Sequence, residues 1–247
     1  MNKYLVCNLK SSKTKDEMLD YANQISFIKK DPSVELIICP SSIYLYLFKK
    51  DNYTLGAQDV SSHDGDNHTG EITASQLNSM NVKYVLLGHS EMREIFKDTE
   101  EIISSKIKKS YHSHIHPIYF VGETEEEKNS NMDKNVIYKQ LTNIIDIVPD
   151  YKREKMLLVY EPVWAIGTGK QPSVSIIKDR VNYIKRLMHN RYGIDIPVLY
   201  GGSVNKDNVK QLVKVSKIDG LILGESAKDP QEVKEIYSEY LKWTWNH

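Results

Sequence analysis

Short apolar runs recur along the chain at 4–7, 36–39, 54–57, 84–87, 117–121, 156–160, 198–200 and 221–223, eight in all. Most are near-continuous rather than alternating, the pattern of strands covered on both faces in a parallel sheet. Between them lie stretches whose apolar residues fall at helical spacing. Examples are Met18, Leu19, Ala22 and Ile25; Ile102, Ile103 and Ile107; Ile176, Val181, Ile184 and Leu187; and Val209, Leu212 and Val213. Start signals precede several of them: Thr14 ahead of Asp16 and Glu17, Ser173 after Pro172, and Asn205 ahead of Lys206 and Asp207. The last helical stretch, 230–243, opens on Pro230, a favoured residue in a first turn.

Strand and helix alternate throughout, with no linker, charge block or low-complexity tract to divide them. Eight βα units in 247 residues is the count of a closed (β/α)₈ barrel. A doubly wound sheet uses the same right-handed parallel units, but no G-x-G-x-x-G follows the first run. The expectation is an α/β fold, one (β/α)₈ barrel domain spanning 1–247.

Composition narrows the partners. Lys plus Arg and Asp plus Glu are each 33, so the formal charge is zero and neither a nucleic-acid nor an anionic-membrane surface is implied. The two cysteines, Cys7 and Cys39, both lie inside apolar runs and read as small core residues of a reducing compartment. The apolar run near Met1 is too short for a signal peptide or a membrane span, and the chain is expected in the cytoplasm.

The most informative stretch is YEPVWAIGTGK at 160–170. A carboxylate, Glu161, stands at the end of a buried strand. Pro162 fixes φ and stops that strand, and Val163, Trp164, Ala165 and Ile166 form an apolar flap. Gly167, Thr168, Gly169 and Lys170 close the stretch, with two glycines to serve as hinges. A base beneath a closing lid over 162–170 has this form. The GTGK tail is not a Walker loop, since Trp164 and Gln171 stand where that loop needs Gly and Ser or Thr.

A barrel places its chemistry at the carboxyl ends of the strands. Asn8 and Lys10 follow the first run, Gln58 the third, His89 the fourth, Glu123 the fifth and Glu161 the sixth. Gly201, Gly202 and Ser203 follow the seventh, and Gly224 the eighth. His89 precedes Ser90, a good cap for a short helix over 91–95, and at a helix N-terminus an imidazole is expected to act as a neutral donor. Backbone N–H groups of the two glycine turns can form an anion nest, and the loops after strands seven and eight are a common phosphate site in barrels. A phosphate held beside a base, a neutral histidine and a lysine suits aldose–ketose isomerisation through an enediolate.

N-x-K at Asn8–Lys10, GHSE at Gly88–Glu91, the eleven residues 160–170, and YGGSV at Tyr200–Val204 resemble the triosephosphate isomerase family, in order and over nearly the whole chain. The resemblance implies cofactor-free interconversion of dihydroxyacetone phosphate and D-glyceraldehyde 3-phosphate, in glycolysis and gluconeogenesis. It implies no metal. Glu161 is then the base, His89 polarises the carbonyl, and Lys10 supports the developing charge with Asn8 and Glu91 beside it. The pairing of a carboxylate base with a neutral imidazole is the established logic of that family, carried here by resemblance. Backbone N–H groups of Gly167, Ser203, Gly224 and Glu225 would grip the phosphate. Trp164 would contact Glu123 when the lid is open. The partner would be a second copy of the chain, docked through the 61–71 loop.

Four positions depart from the family pattern. Leu9 replaces a common aromatic, and Phe120 a habitual cysteine beneath Glu161. Met92 replaces an arginine that pairs with the partner's acidic residue in TGE, here Glu71. Glu225 stands where a second glycine is usual, and is predicted to point outward or to pair with a lysine such as Lys228. Glu225 and Phe120 leave open an isomerase of another small phosphosugar, such as a tetrulose phosphate. A catalytically weak barrel that binds phosphometabolites is the other alternative, and the intact Glu161, His89 and Lys10 speak against it. His112, His114 and His116 alternate before the fifth run, but at the end opposite the chemistry, and no metal is expected there.

Overall fold

The computed structural model describes residues 3–49, 51–63, 65–153, 155–167, 170–215 and 217–245. Strands β1 (Lys3–Asn8), β2 (Val34–Cys39), β3 (Thr54–Ala57), β4 (Tyr84–Leu87), β5 (His116–Val121), β6 (Leu157–Tyr160), β7 (Val198–Gly201) and β8 (Gly220–Leu223) pair in parallel, each with its neighbours in sequence. β8 returns to β1, with Tyr4 beside Gly220 and Cys7 beside Leu223, and the ring closes. A doubly wound sheet would end in two open edges, so that alternative is excluded. All eight apolar runs are strands, with ends displaced by no more than two residues.

Two nested cores explain why the runs look continuous. Val6, Ile37, Leu86, Ile118, Val159 and Ile222 pack together inside the barrel. Their strand neighbours, among them Leu5, Ile38, Leu87, Leu158 and Leu221, pack outward against the helices. Side chains alternate in direction along each strand, and here both directions meet apolar surroundings. Each fully buried aliphatic side chain contributes on the order of 2 kcal/mol to this arrangement.

The helices form where their start signals are satisfied. Helix Lys15–Ile25 begins after Thr14, whose N–H and hydroxyl both donate to the Glu17 carboxylate at 2.8 and 2.7 Å. Helix Val174–Tyr192 begins after Ser173, whose hydroxyl accepts from the Ile176 N–H at 3.4 Å, and ends on Gly193 at φ +69°. Helix Pro230–Trp245 opens on its proline. Asn205 acts differently from expectation. Its side-chain oxygen accepts from the N–H groups of both Asp207 and Asn208 at 3.0 Å, an Asx turn, and the helix waits until Val209–Leu212.

The three histidines before β5 do not share one strand face. His112 ends helix Glu100–His112, His114 sits at φ +58°, and only His116 belongs to β5. No group of three or more metal-capable side chains gathers among the described residues. Cys7 and Cys39 are buried and unpaired, as read from the sequence. Among the described residues no helix is long and apolar enough to cross a membrane.

Candidate active site

The carboxyl ends of the strands open into a cavity of about 700 Å³. Asn8, Lys10, His89, Glu91 and Glu161 line it, and so do Gly167, Ser203, Gly224 and Glu225. Residues from the first strand's end and the last strand's end, Asn8 and Glu225 among them, therefore meet because every strand of a parallel barrel ends on the same rim.

Glu161 leaves β6 with its N–H bonded to the Val121 carbonyl at 2.8 Å. The close approach of β5 requires Gly122, where a Cβ would collide with the Glu161 carbonyl. The Glu161 side chain is buried: Oε2 accepts from the Ser90 N–H at 2.9 Å, and Oε1 lies 3.1 Å from His89 Nε2. Burial pushes its carboxyl above the ordinary range, with His89, the Ser90 hydrogen bonds and Lys10 pulling the other way.

His89 itself, rather than Ser90, is the N-cap of helix Ser90–Glu94: its Nδ1 accepts from the Glu91 N–H at 3.2 Å. The expected cap is thus shifted by one residue, and Ser90 becomes the first residue of the helix with its N–H on Glu161. An accepting Nδ1 carries no proton, so the bond pattern assigns the ring proton to Nε2, facing the Glu161 carboxylate. Phe120 bears on this ring, its own ring edge-on to His89 with centroids 5.1 Å apart at 71°.

Lys10 follows β1 at φ +50°, a left-handed conformation that an L side chain rarely adopts. Three contacts hold it there. The carbonyl of Lys10 accepts from Gln58 Nε2 at 2.8 Å and from the Ser41 hydroxyl at 2.9 Å, while its N–H donates to Asn8 Oδ1 at 3.1 Å. Its ammonium is paired with the Glu91 carboxylate. Such backbone conformations cost about 1–3 kcal/mol and persist where the surroundings over-determine them.

Of the stretch 162–170, Thr168 and Gly169 lie outside the described residues. Val163–Ala165 form a 3₁₀ turn. The Trp164 indole N–H donates to Glu123 Oε1 at 2.8 Å, an oxygen that also accepts from the Tyr160 hydroxyl at 3.0 Å. Lys128 places its ammonium 3.4 Å from the centre of the indole ring, and Lys170 pairs with Glu125. The Ser203 hydroxyl donates to the Ala165 carbonyl at 3.2 Å. The flap is thus tied to the loop after β5 and to the loop after β7.

On the phosphate side, Gly167 and Ser203 both have positive φ, +67° and +43°. Glu225 turns away from the cavity, its side chain 86% exposed and its carboxylate 2.6 Å from Lys228 Nζ. The sequence reading missed a second carboxylate at this edge, Glu232, which accepts from the Ser226 hydroxyl at 2.9 Å and the Lys206 N–H at 3.2 Å. It also missed the Ser90 N–H as an anchor for Glu161, and Gln140, which bonds both backbone groups of Gly122. No motif marks Gln140, which reads as one more polar residue on a helix.

In the 61–71 loop, Asp64 lies outside the described residues. Its roots are fixed: the Ser61 N–H donates to the Ile72 carbonyl at 2.8 Å, and the Ser105 hydroxyl to the Ser62 carbonyl at 2.6 Å. Lys106, buried beside it, bonds Asp59 at 2.8 Å and Asp98 at 2.7 Å.

The sequence profile described as Triosephosphate isomerase matches residues 3–240. A protein of Alkaliphilus oremlandii named triosephosphate isomerase is 36% identical over 233 residues, covering 91% of this chain and 94% of that one. One of Mesomycoplasma hyopneumoniae with the same name is 36% identical over 247 residues, covering 96% and 98%. A third, of Clostridium beijerinckii, is 31% identical over 237 residues, covering 93% and 96%. Profile, relatives and barrel agree, and the chain belongs to the triosephosphate isomerase family.

Proposed function

We propose that the chain interconverts dihydroxyacetone phosphate and D-glyceraldehyde 3-phosphate by proton transfer through an enediolate. The family it belongs to carries this activity, and the chemistry calls on no cofactor. Glu161 takes a proton from one carbon and returns it to its neighbour. His89, with its proton on Nε2, donates to the carbonyl oxygen as negative charge develops there. Lys10 lends its ammonium to the same oxygen side, with Asn8 and Glu91 setting its place. Gly167, Ser203, Gly224 and Glu225 offer backbone N–H groups to the phosphate, and 162–170 closes over the intermediate to exclude water.

The observation that carries this reading is the 3.1 Å approach of His89 Nε2 to Glu161 Oε1 in the cavity that Lys10 also lines. Base and electrophile are bonded to each other, so substrate must part them by inserting its carbon and oxygen between. Glu161→Asp retracts the carboxylate by one methylene, roughly 1 Å, and should lower kcat on the order of 100-fold in a coupled assay with triose phosphate, with KM changed far less. Unchanged turnover would remove Glu161 from this role. The same assay with a tetrulose phosphate ranks the two substrates.

The working form is a homodimer joined through the 61–71 loop, in the cytoplasm. Exposed Ile43, Ile72, Ile95 and Phe96, on the loops after β2, β3 and β4, supply apolar surface for a second copy to cover. Light scattering of the purified protein reads its mass directly. The unpaired Cys7 and Cys39 suit a reducing compartment.

A further inference from the structure

Gln140 lies on helix Asp133–Ile145, outside the barrel wall, and does not line the cavity. Its amide nevertheless makes two hydrogen bonds to a single backbone residue. The Gly122 N–H donates to Gln140 Oε1 at 2.9 Å, and Gln140 Nε2 donates to the Gly122 carbonyl at 3.1 Å. β5 ends at Val121, so Gly122 lies just past the ladder that would otherwise fix it. Two bonds from one rigid amide hold that residue against both shift and rotation.

What Gly122 abuts is the backbone of Glu161. Its bare α-carbon faces the Glu161 carbonyl at a distance no side chain could tolerate. Glu161 is bracketed by the same segment, with its own N–H on the Val121 carbonyl at 2.8 Å and the Val163 N–H on the Glu123 carbonyl at 3.1 Å. The segment 121–123 is therefore the template on which the Glu161 backbone is laid, and Gln140 pins the middle of that template.

A second set of bonds runs from Gln140 to the His89 side. The Tyr119 hydroxyl lies 3.0 Å from the backbone carbonyl of Gln140 and 3.2 Å from Glu100, and it accepts from Arg93 at 3.2 Å. Arg93 Nε in turn donates to the carbonyl of Gly88 at 2.8 Å, one residue before His89. One helix residue thus references the backbones on both sides of the 3.1 Å contact between His89 and Glu161.

We propose that Gln140 is a positioning residue for the reaction, setting the place of the Glu161 carboxylate through the Gly122 peptide. This rests on the reading of Glu161 as the base. Gln140 touches nothing in the cavity, so its loss should act on the chemical step and leave phosphate binding alone.

Gln140→Leu keeps an apolar side chain of similar bulk, shorter by one bond, while removing both hydrogen bonds. The expected result is a fall in kcat of about tenfold or more, the scale of a sub-ångström misplacement, with KM and the inhibition constant of inorganic phosphate within about twofold of wild type. The acidic limb of the kcat/KM profile should also move to lower pH, because a base released from its dry slot regains water. Gln140→Glu keeps an acceptor for the Gly122 N–H but turns an oxygen toward the Gly122 carbonyl, and should lose turnover as Gln140→Leu does. If Gln140→Leu does not fold, Gln140→Asn, shorter by one methylene, is read by the same three quantities. A lower melting temperature with kcat and the acidic limb both unchanged would overturn the proposal, as would an equal rise in KM and in the phosphate inhibition constant. Glu161→Gln, measured alongside, separates the two claims. If it abolishes turnover while the Gln140 variants match wild type, only the positioning role fails; if it leaves turnover intact, the assignment of the base fails first.

Discussion

His89 and Glu161 hold each other 3.1 Å apart, with a ring proton between them and the Ser90 N–H on the second carboxylate oxygen. The carboxylate is buried as well, and burial is the largest cause of its raised pKa.

The first prediction follows from that shift. The acidic limb of kcat/KM for the free enzyme should lie above 4.5, the ordinary value for the group. The sign for stability runs the other way from most carboxylates. With the folded value raised, the folded protein keeps a proton that the unfolded chain has already released, so stability falls as pH rises from 4.5 through the folded value. Glu161→Gln removes that loss while abolishing turnover. Its melting temperature relative to wild type should rise across the same window, and a constant difference would contradict the assignment.

Glu225→Gly should change KM less than tenfold. The side chain points outward onto Lys228 and is 86% exposed, so its charge is screened from a phosphate in the cavity. A drop in KM of tenfold or more would mean the carboxylate intrudes on the phosphate after all.

Lys106→Met should destabilise the fold by about 3 kcal/mol in denaturant titration, because it leaves Asp98, itself nearly fully buried, beside Asp59 without the cation they share. Loss of the tie should also loosen the root of the 61–71 loop, and faster amide exchange at residues 59–63 is the accompanying readout.

His116 gives a prediction at the opposite end of the barrel. Its Nδ1 is buried without a hydrogen-bond partner among the described residues, and its ring packs 5.7 Å from that of Tyr84. Burial is the largest cause of its lowered pKa; Lys155, Lys83 and His114 add to it and Glu35 opposes it. A depressed value means that the unfolded chain takes up the proton first, so stability present above 6.5 is lost as pH falls from there toward the folded value. His116→Gln should flatten that part of the curve in thermal melts taken downward in pH from 6.5.

Much of this was legible in the chain, and for identifiable reasons. A strand buried on both faces leaves a continuous apolar run, so all eight strands were visible, and the rim residues followed once the barrel was assumed. Lys10, His89 and Glu161 stood out because their residue types and rim positions both signal chemistry, and all three line the cavity. What stayed hidden acts through the backbone. The Ser90 N–H that anchors Glu161 is independent of the side chain that was read as a cap. Gln140 matters through its contact with Gly122, eighteen residues away, and has no local pattern to announce it. Asn205 carried a genuine helix-start signal, but its side chain satisfied the turn donors itself and delayed the helix.

The left-handed backbone at Lys10 is at odds with durability. A chain selected only to resist heat would place glycine there and relax the torsion. The ammonium survives at that spot because Gln58, Ser41 and Asn8 together clamp a geometry the residue would shun on its own. Redesigns that harden this protein should therefore spare those three clamps, since without them nothing holds the Lys10 backbone in its left-handed turn on the cavity rim.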